Sequence, residues 1–557
     1  MNNVSIRDLQ GEDYFSAFAN QKVTTKGIVT GVLRRGFFIQ TADKEWDEKG
    51  SDAIFVFSRD WTVSVGYEVE VSGQCVDFIK DDNAKPVTQI FLDEARVVST
   101  RGKKIAPIVL DQKRLAINNN QLAKLLNSLE GMLVKVEAGQ TFIAPSNSYG
   151  DYVLALDAQG TDTSVPRSVD GGALTNAKNP LRWYPGFRVT NYNYAQRLNL
   201  GSKLKSDIVG PLNYRVGAYQ ISVSETFDFE PHYIQLEKAK LLPSNGSLTI
   251  MTLNCFNLDP HVESEDLVMN PNQDVDDDWG EGRFHTLAQA IVLQANCPDI
   301  VALQEIQDND GAEITQVVDA SQTYQLLIKT VKQLCGIEYD WVDVPPEVGA
   351  DGGQPGGNIR NGFLFNPNRV ELDKSSVRVF GVDNESFNNS RKPIVCEFIE
   401  KHSSERLAVF NIHLASKRHQ TSIFSPSDAG TDHKEYVRIA QGKAVREEAE
   451  SFYQNTGRNF YITGDFNDTE YSQTLSEIVG EKSTNLVMLL PESERYDYNH
   501  RGKLQVLMHG IVPKELVEKE AAEYEIIHGN ELIGIEPGQG SDKPSDHAYV
   551  LAKINLS

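Results

Sequence analysis

Residues Tyr461–Asp468 read YITGDFND. The stretch opens as a buried strand does, with one aromatic and two β-branched residues. It then sets Gly464, Asp465, Asn467 and Asp468 close together. Such an ending either makes a turn or delivers polar groups to a site. The surrounding sequence supplies the context. From Leu248 onward LTIMTLNCFNL, DIVALQEI, IRNGFLFNP, RLAVFNIHLAS, NFYITGDFND and DHAYVLAKINL read as strands. RFHTLAQAIVLQAN, TYQLLIKTVKQLCG and HKEYVRIAQGKAVREEAESFYQ carry apolar residues at helical spacing. Interleaved strands and helices predict an α+β domain of layered sheets over residues 247–557.

At 557 residues the chain is too long for one ordinary core. Residues 1–103 read as short alternating strands with turn signals, a pattern that suits a small OB-fold-like barrel closed by TQIFLDEARVVS. Residues 104–243 read as a second β module, with strands in LEGMLVKVEAGQTFIA, GDYVLALDAQ and KSDIVGPLNYRVGAYQISV. Within it, residues 178–205 hold six Lys/Arg, no acid and five aromatics. Cations follow phosphates and aromatic faces stack on bases, so Arg182, Trp183 and Arg188 are candidate nucleic-acid contacts. The alternative is a solvated loop whose aromatics close the module's core. The basic run Arg101–Arg114 reads as a linker.

Residues 1–250 hold 28 basic and 28 acidic side chains, so the net charge of −24 falls entirely on the rest. An acidic half repels a polyanion unless a cation or local basic residues intervene. The acid-rich run Asp259–Glu281 reads as a solvated loop. The five cysteines show no zinc-type spacing and read mostly as small buried side chains, with a Cys255–Cys297 disulfide as the lesser alternative. No run of eighteen apolar residues occurs, so no helical membrane span and no membrane partner are expected.

Apolar strands of the C-terminal part carry polar residues near their ends: Asn254 and Asn257, Glu305, His413, Asp465 and Asn467, and Asp546 with His547. Each alone has an ordinary structural explanation. Together they imply a shared cation, because an unpaired buried carboxylate costs several kcal/mol. Glu305, Asp546 and Asn254 are hard oxygen donors that suit Mg²⁺, with Mn²⁺ or Ca²⁺ as alternatives. Two histidines and a further acid beside such an ion are the parts needed to hydrolyse a phosphate ester.

The ordered motifs TLNCFN, PDIVALQEI, GGNIRNGFLFNP, NIHLASK, GDFND and SDHAYV resemble the endonuclease/exonuclease/phosphatase family, the fold of pancreatic-type deoxyribonuclease. GGQPGGNIR and SRKPIVCEF, with β modules in front, resemble its bacterial extracellular nucleases. The resemblance implies a four-layer α/β/β/α sandwich preceded by two small OB-like modules. It implies a Mg²⁺-dependent nuclease acting on DNA, or RNA, by in-line attack of water. Glu305 would ligate the metal with Asn254 and Asp546. Asp465 would activate the water and Asn467 would position it. His413 and His547 would bind the scissile phosphate, and Asn257, Arg360 and Asn361 would line the rim. A secreted or periplasmic location is implied. The N-terminus shows no basic and apolar leader, which leaves a cytoplasmic location open.

One departure bears on activity. Relatives carry an Asp in the strand before SDH that holds the terminal His, whereas GKLQVLMHGIVP offers Met508. In a serine protease, losing such an orienting carboxylate lowers the rate about 10⁴-fold. Asp497, in ERYDYNH, is a substitute for which the sequence gives no geometric ground. Lys417, Arg418 and His419 replace a Gly-rich turn and read as solvated, with phosphate binding as the alternative. Two other functions follow: a phosphatase or phosphodiesterase on another phosphate ester, and a nucleic-acid-binding protein with impaired catalysis.

Overall fold

The structure, a computed structural model, describes residues 2–42, 46–80, 84–157, 165–540 and 543–556. Strand Lys22–Leu33 pairs along both edges, with Gly36–Gln40 and with Glu68–Phe78. Glu68–Phe78 pairs with Val87–Ser99, which runs parallel to Ala53–Phe57, and that strand returns to Gly36–Gln40. The circuit closes, so these strands form a barrel around Val29, Ile39, Val56 and Val71. TQIFLDEARVVS is its closing strand, as the alternation predicts.

The middle part departs from a second small barrel. Its strands form a nine-stranded sheet, and no pairing among the described residues joins the two ends. Helix Asn119–Ser128, capped by the Asn118 side chain, packs Leu122, Ala123 and Leu126 into the core. The asparagine run Asn118–Asn120 at its start conceals this helix in the sequence. The strand expected in GDYVLALDAQ is observed over Asp151–Ala155. Its last expected residues, 158–159, lie outside the described residues. The Arg101–Arg114 run is not wholly a linker, since Ile108–Val109 pairs with Val134–Lys135.

The C-terminal part contains two six-stranded sheets. In the first, Ser247–Leu258 and Ile300–Ile306 lie parallel at the centre. In the second, Arg406–His413 and Phe460–Asp465 do the same. Ile250, Ala302 and Phe363 of the first sheet meet Cys396, Val409 and Tyr461 of the second in one core. The opposite face of the first sheet packs Leu253 and Leu303 on Phe284, Leu287, Tyr324 and Leu327 of helices Arg283–Gln289 and Ser321–Cys335. The opposite face of the second packs Phe410 and Ile462 on Val445 and Ala449 of helix Glu435–Thr456.

Polar groups tie the sheets together beneath the strand ends. Thr252 and Thr463 bond through their hydroxyls. Gln304 Nε2 donates to Asn411 Oδ1 at 2.6 Å. Asn411 Nδ2 donates to the carbonyls of Leu303 and Gly362 at 2.8 and 2.9 Å. All four side chains are fully buried. A buried polar group left without its partner costs about 1–3 kcal/mol.

The three parts mesh. Lys85 of the barrel forms a buried ion pair with Glu130. Phe424 enters the middle part's core, edge-on to Trp183, Tyr214 and Tyr219. Ala173–Leu174 pairs in parallel with Lys503–Leu504.

Asn411→Ala removes one acceptor and the donor for two carbonyls. Urea denaturation of the C-terminal part is expected to show a loss of about 3 kcal/mol or more. A loss below about 1 kcal/mol would mean that the amide does not hold the sheets together.

Candidate active site

The central strands of both sheets end at one edge of the interface. Three of the polar residues there sit on strained backbone. Glu305 has φ 56° where Ile300–Ile306 bulges against Arg360–Phe365, and Asn257 has φ 57° in the bulge that ends Ser247–Leu258. Asn467 has φ 52°. Each such residue costs about 1–3 kcal/mol, and bulges at strand ends re-aim side chains. Gly464 is required where it stands: at φ 135°, a Cβ would lie 1.9 Å from the Ile412 carbonyl oxygen.

These bends bring the predicted residues together. Asn254 Nδ2 donates to Glu305 Oε1 at 3.2 Å and to Asp465 Oδ2 at 3.4 Å. His413 Nε2 lies 3.7 Å from Glu305 Oε1 and 3.6 Å from Asp465 Oδ2. His547 Nε2 lies 3.9 Å from Asp465 Oδ2 and 3.7 Å from Asp546 Oδ1. Asp546 is the most open of the acids, its side chain 39% exposed.

The spacing of Asp465 and Asn467 suits two side chains on one face of a continuing strand, but Asn467 lies beyond the strand's end. The strand stops at Asp465, and the Asn467 backbone N–H turns back to donate to Asp465 Oδ1 at 2.8 Å. The Asn467 amide itself donates to the Leu414 carbonyl at 3.0 Å. One oxygen of Asp465 is therefore fixed, and the other faces Asn254 and both histidines.

The carboxylate missing from the Met508 position arrives from elsewhere. Asp497 Oδ1 lies 2.9 Å from His547 Nδ1, and its Oδ2 accepts from the backbone N–H groups of Leu507 and Met508 at 2.8 and 2.9 Å. Asp497 is fully buried, and Met508 is an ordinary core side chain between the sheets. Tyr498 stacks on the His547 ring at 4.8 Å. The ground for an unheld histidine is thereby removed.

Electrostatics separate the two imidazoles. Burial would strip the proton from His547, but Asp546, Asp497 and Asp465 hold its pKa at about 10, so it is an imidazolium at neutral pH. Burial, together with the charges of Arg391 and His547, pushes His413 well below its ordinary value, so it is neutral. Burial, with Asp546 and Asp465 added, raises Glu305, and burial raises Asp465. Arg391 was not singled out by sequence. It is buried, donates to the Leu414 carbonyl at 2.8 Å, and its charge acts on Glu305 and Asp465. The sequence signal for it was SRKPIVCEF.

Three ligand atoms, from Glu305, His413 and Asp465, all lie within 4.8 Å of one another. Crowded acids of raised pKa facing His413 Nε2 supply the oxygen and imidazole donors that fit a divalent cation.

Other expected contacts take structural roles. Arg360 is buried and donates to the carbonyls of Asn358 and Val318 and to Asp343, because the strand that carries it lies inside the sheet. Asn361 is buried and donates to the Lys392 carbonyl at 3.2 Å. Asn257 is half-buried and donates to Gln354. Trp183 packs on Phe424, Arg182 lies over Tyr184, and Arg188 pairs with Asp151 at 3.4 Å. Of the 178–205 aromatics, Tyr184 and Phe187 are core, whereas Tyr192 and Tyr194 are exposed. Lys417 is not simply solvated, since it pairs with Asp468 at 2.6 Å. The acidic loop is not wholly solvated either. Asp259, Glu263 and Asp278 are buried, and burial followed by acidic neighbours raises Asp259 to about 9. The cysteines are free thiols.

Comparison with known proteins adds the following. A family model described as "Domain of unknown function (DUF8508)" matches residues 119–232. A search of curated proteins finds no significant match. Among solved structures, the human Nocturnin catalytic domain with bound sulfate aligns at 15% identity and TM-score 0.37, covering 57% of this chain and 97% of that one. Truncated Caenorhabditis elegans TDP2 aligns at 14% identity and TM-score 0.35, covering 56% and 97%. An endonuclease/exonuclease/phosphatase from Bacteroides vulgatus aligns at 15% and 0.34, covering 56% and 99%. At such values, what this chain does must be read from its own residues.

Two substitutions separate Asp497 from Met508. Asp497→Asn is expected to lower the His547 pKa from about 10 toward its ordinary value, read by NMR titration of the imidazole. Met508→Asp puts a second carboxylate beside Asp497 in a fully buried position. It is expected to cost several kcal/mol of stability without raising any hydrolytic rate. A faster Met508→Asp enzyme would show that Asp497 does not hold His547.

Proposed function

We propose that the chain is a metal-dependent phosphodiesterase that hydrolyses nucleic acid by in-line attack of water. The observation that carries this reading is the meeting of Asn254, Glu305, His413, Asp465, Asp546 and His547 at one edge of two sheets. The six residues are drawn from the span 254–547. We read the two sheets with helices on both outer faces as the four-layer sandwich, and the closed N-terminal barrel, with its fifth strand inserted beside the third, as OB-like.

Glu305 and Asp546 would hold the cation, with Asp465 and His413 at its edge, and Asn254, whose Nδ2 donates to Glu305 and Asp465 and whose Oδ1 is taken by the Phe256 N–H, would orient those carboxylates rather than ligate the ion. A bound divalent ion would neutralise the phosphate and the charge that develops on it. Asp465 has one oxygen pinned by the Asn467 N–H, which leaves the other to orient a water and take its proton. His547 is held as a cation by Asp546, Asp497 and Asp465, with Nε2 toward the site, and would donate to a phosphoryl oxygen as negative charge grows there. His413 is neutral and donates or accepts without adding charge. Arg391 supports the acids from beneath.

Digestion of supercoiled plasmid is expected to stop with EDTA and return with Mg²⁺ or Mn²⁺. Asp465→Asn is expected to lower the rate by about 10²–10⁴-fold, the usual contribution of a positioned general base. Full activity in EDTA, or in Asp465→Asn, would rule out this site.

A further inference from the structure

The acid-rich C-terminal part must still admit a polyanion. Cations beside the site are concentrated on two segments. One is the turn Lys417–His419, which follows the strand that ends at His413. The other is a hairpin in which Tyr498–His500 pairs with Lys503–Gln505, His500 opposite Lys503, with Arg501 at the tip at φ 50°.

The hairpin begins at the site itself. Tyr498 forms a bridge with His547 and stacks on its ring at 4.8 Å, and His500 stacks in turn on Tyr498 at 6.4 Å. His500 and Arg501 are exposed, as is Arg418. The middle part fixes the hairpin in place: Ala173–Leu174 pairs with Lys503–Leu504, and Asn499 Nδ2 and Arg501 Nη2 donate to the carbonyls of Ile143 and Val216. Lys417 is already committed to Asp468. Among the described residues, no carboxylate forms an ion pair with Arg418 or Lys503. Burial, then the charges of Lys417 and Arg501, pull the Lys503 ammonium down to about 8.

We propose that Arg418, Arg501 and Lys503 form a binding site for the backbone phosphates of a polynucleotide strand, flanking the scissile phosphate. The proposal rests on the phosphodiesterase reading above and assigns to it the side chains that hold the substrate's backbone beside the scissile phosphate. The middle part would then serve by holding the hairpin rather than through Arg182, Trp183 or Arg188.

The test uses the full chain, its Arg501→Gln/Lys503→Gln double variant and a separate Arg418→Gln variant. Binding of a labelled DNA duplex is measured in EDTA over a range of salt. The slope of log K against log salt is expected to shrink by about 0.9 for each phosphate that the variant no longer neutralises. With Mg²⁺, the ratio of kcat/KM for the duplex to that for bis(p-nitrophenyl) phosphate is expected to fall about tenfold, since only the polymer reaches the hairpin. An unchanged slope and ratio in both folded variants would overturn the proposal. So would binding to phosphatidylserine vesicles that the variants lose while duplex binding stays intact. If the parent chain hydrolyses neither substrate, the phosphodiesterase reading falls, and the slope in EDTA alone decides the hairpin's role.

Discussion

The amide contact between Gln304 and Asn411 is the constraint on which the site depends. Each side chain belongs to a central strand of a different sheet, and each stands one or two positions before a residue of the site, Glu305 and His413. Apolar packing between sheets is not directional and would tolerate sliding. A buried amide pair that also satisfies the Leu303 and Gly362 carbonyls does not, because any slip leaves groups unpaired in a dry interface. Thr252 and Thr463 repeat the constraint two positions before Asn254 and Asp465. The register between the sheets is thus set by polar contacts immediately beneath the polar residues that must meet.

Holding those residues together has a cost. Asp465 and Glu305 are both raised in pKa by burial and by like charges, and Glu305 occupies a backbone conformation that non-glycine residues avoid. Sites of this kind are destabilised relative to a core of the same size, and the surrounding sheets overdetermine them. A divalent cation bound among Glu305, His413 and Asp465 would offset the charge part of that cost.

Much of this was legible in the chain. Strand ends are readable because an apolar run that stops at an acid or a histidine breaks a simple pattern, and Asn254, Glu305, His413, Asp465 and His547 were all visible that way. What stayed hidden depends on contacts remote in sequence. Asp497 lies in an irregular segment fifty residues before its partner, and only the fold of that hairpin places it on His547. Trp183 reads as a stacking platform until Phe424, far along the chain, covers it. The resemblance puts Arg360 at the rim of the site, yet its strand is flanked on both edges, so its guanidinium turns to backbone carbonyls. Composition states what a segment can do, and burial decides what it is left free to do.

The pairing of Ala173–Leu174 with Lys503–Leu504 has a consequence for what counts as the working unit. A chain severed at residue 246 would keep each side chain of the site. It would also bare the outer edge of the hairpin next to Asp497 and strip the aromatic surround from Phe424. Covalent domain boundaries and mechanical ones therefore differ here. The hairpin that meets the site is thus held by a β module remote in sequence, across two residues of paired backbone.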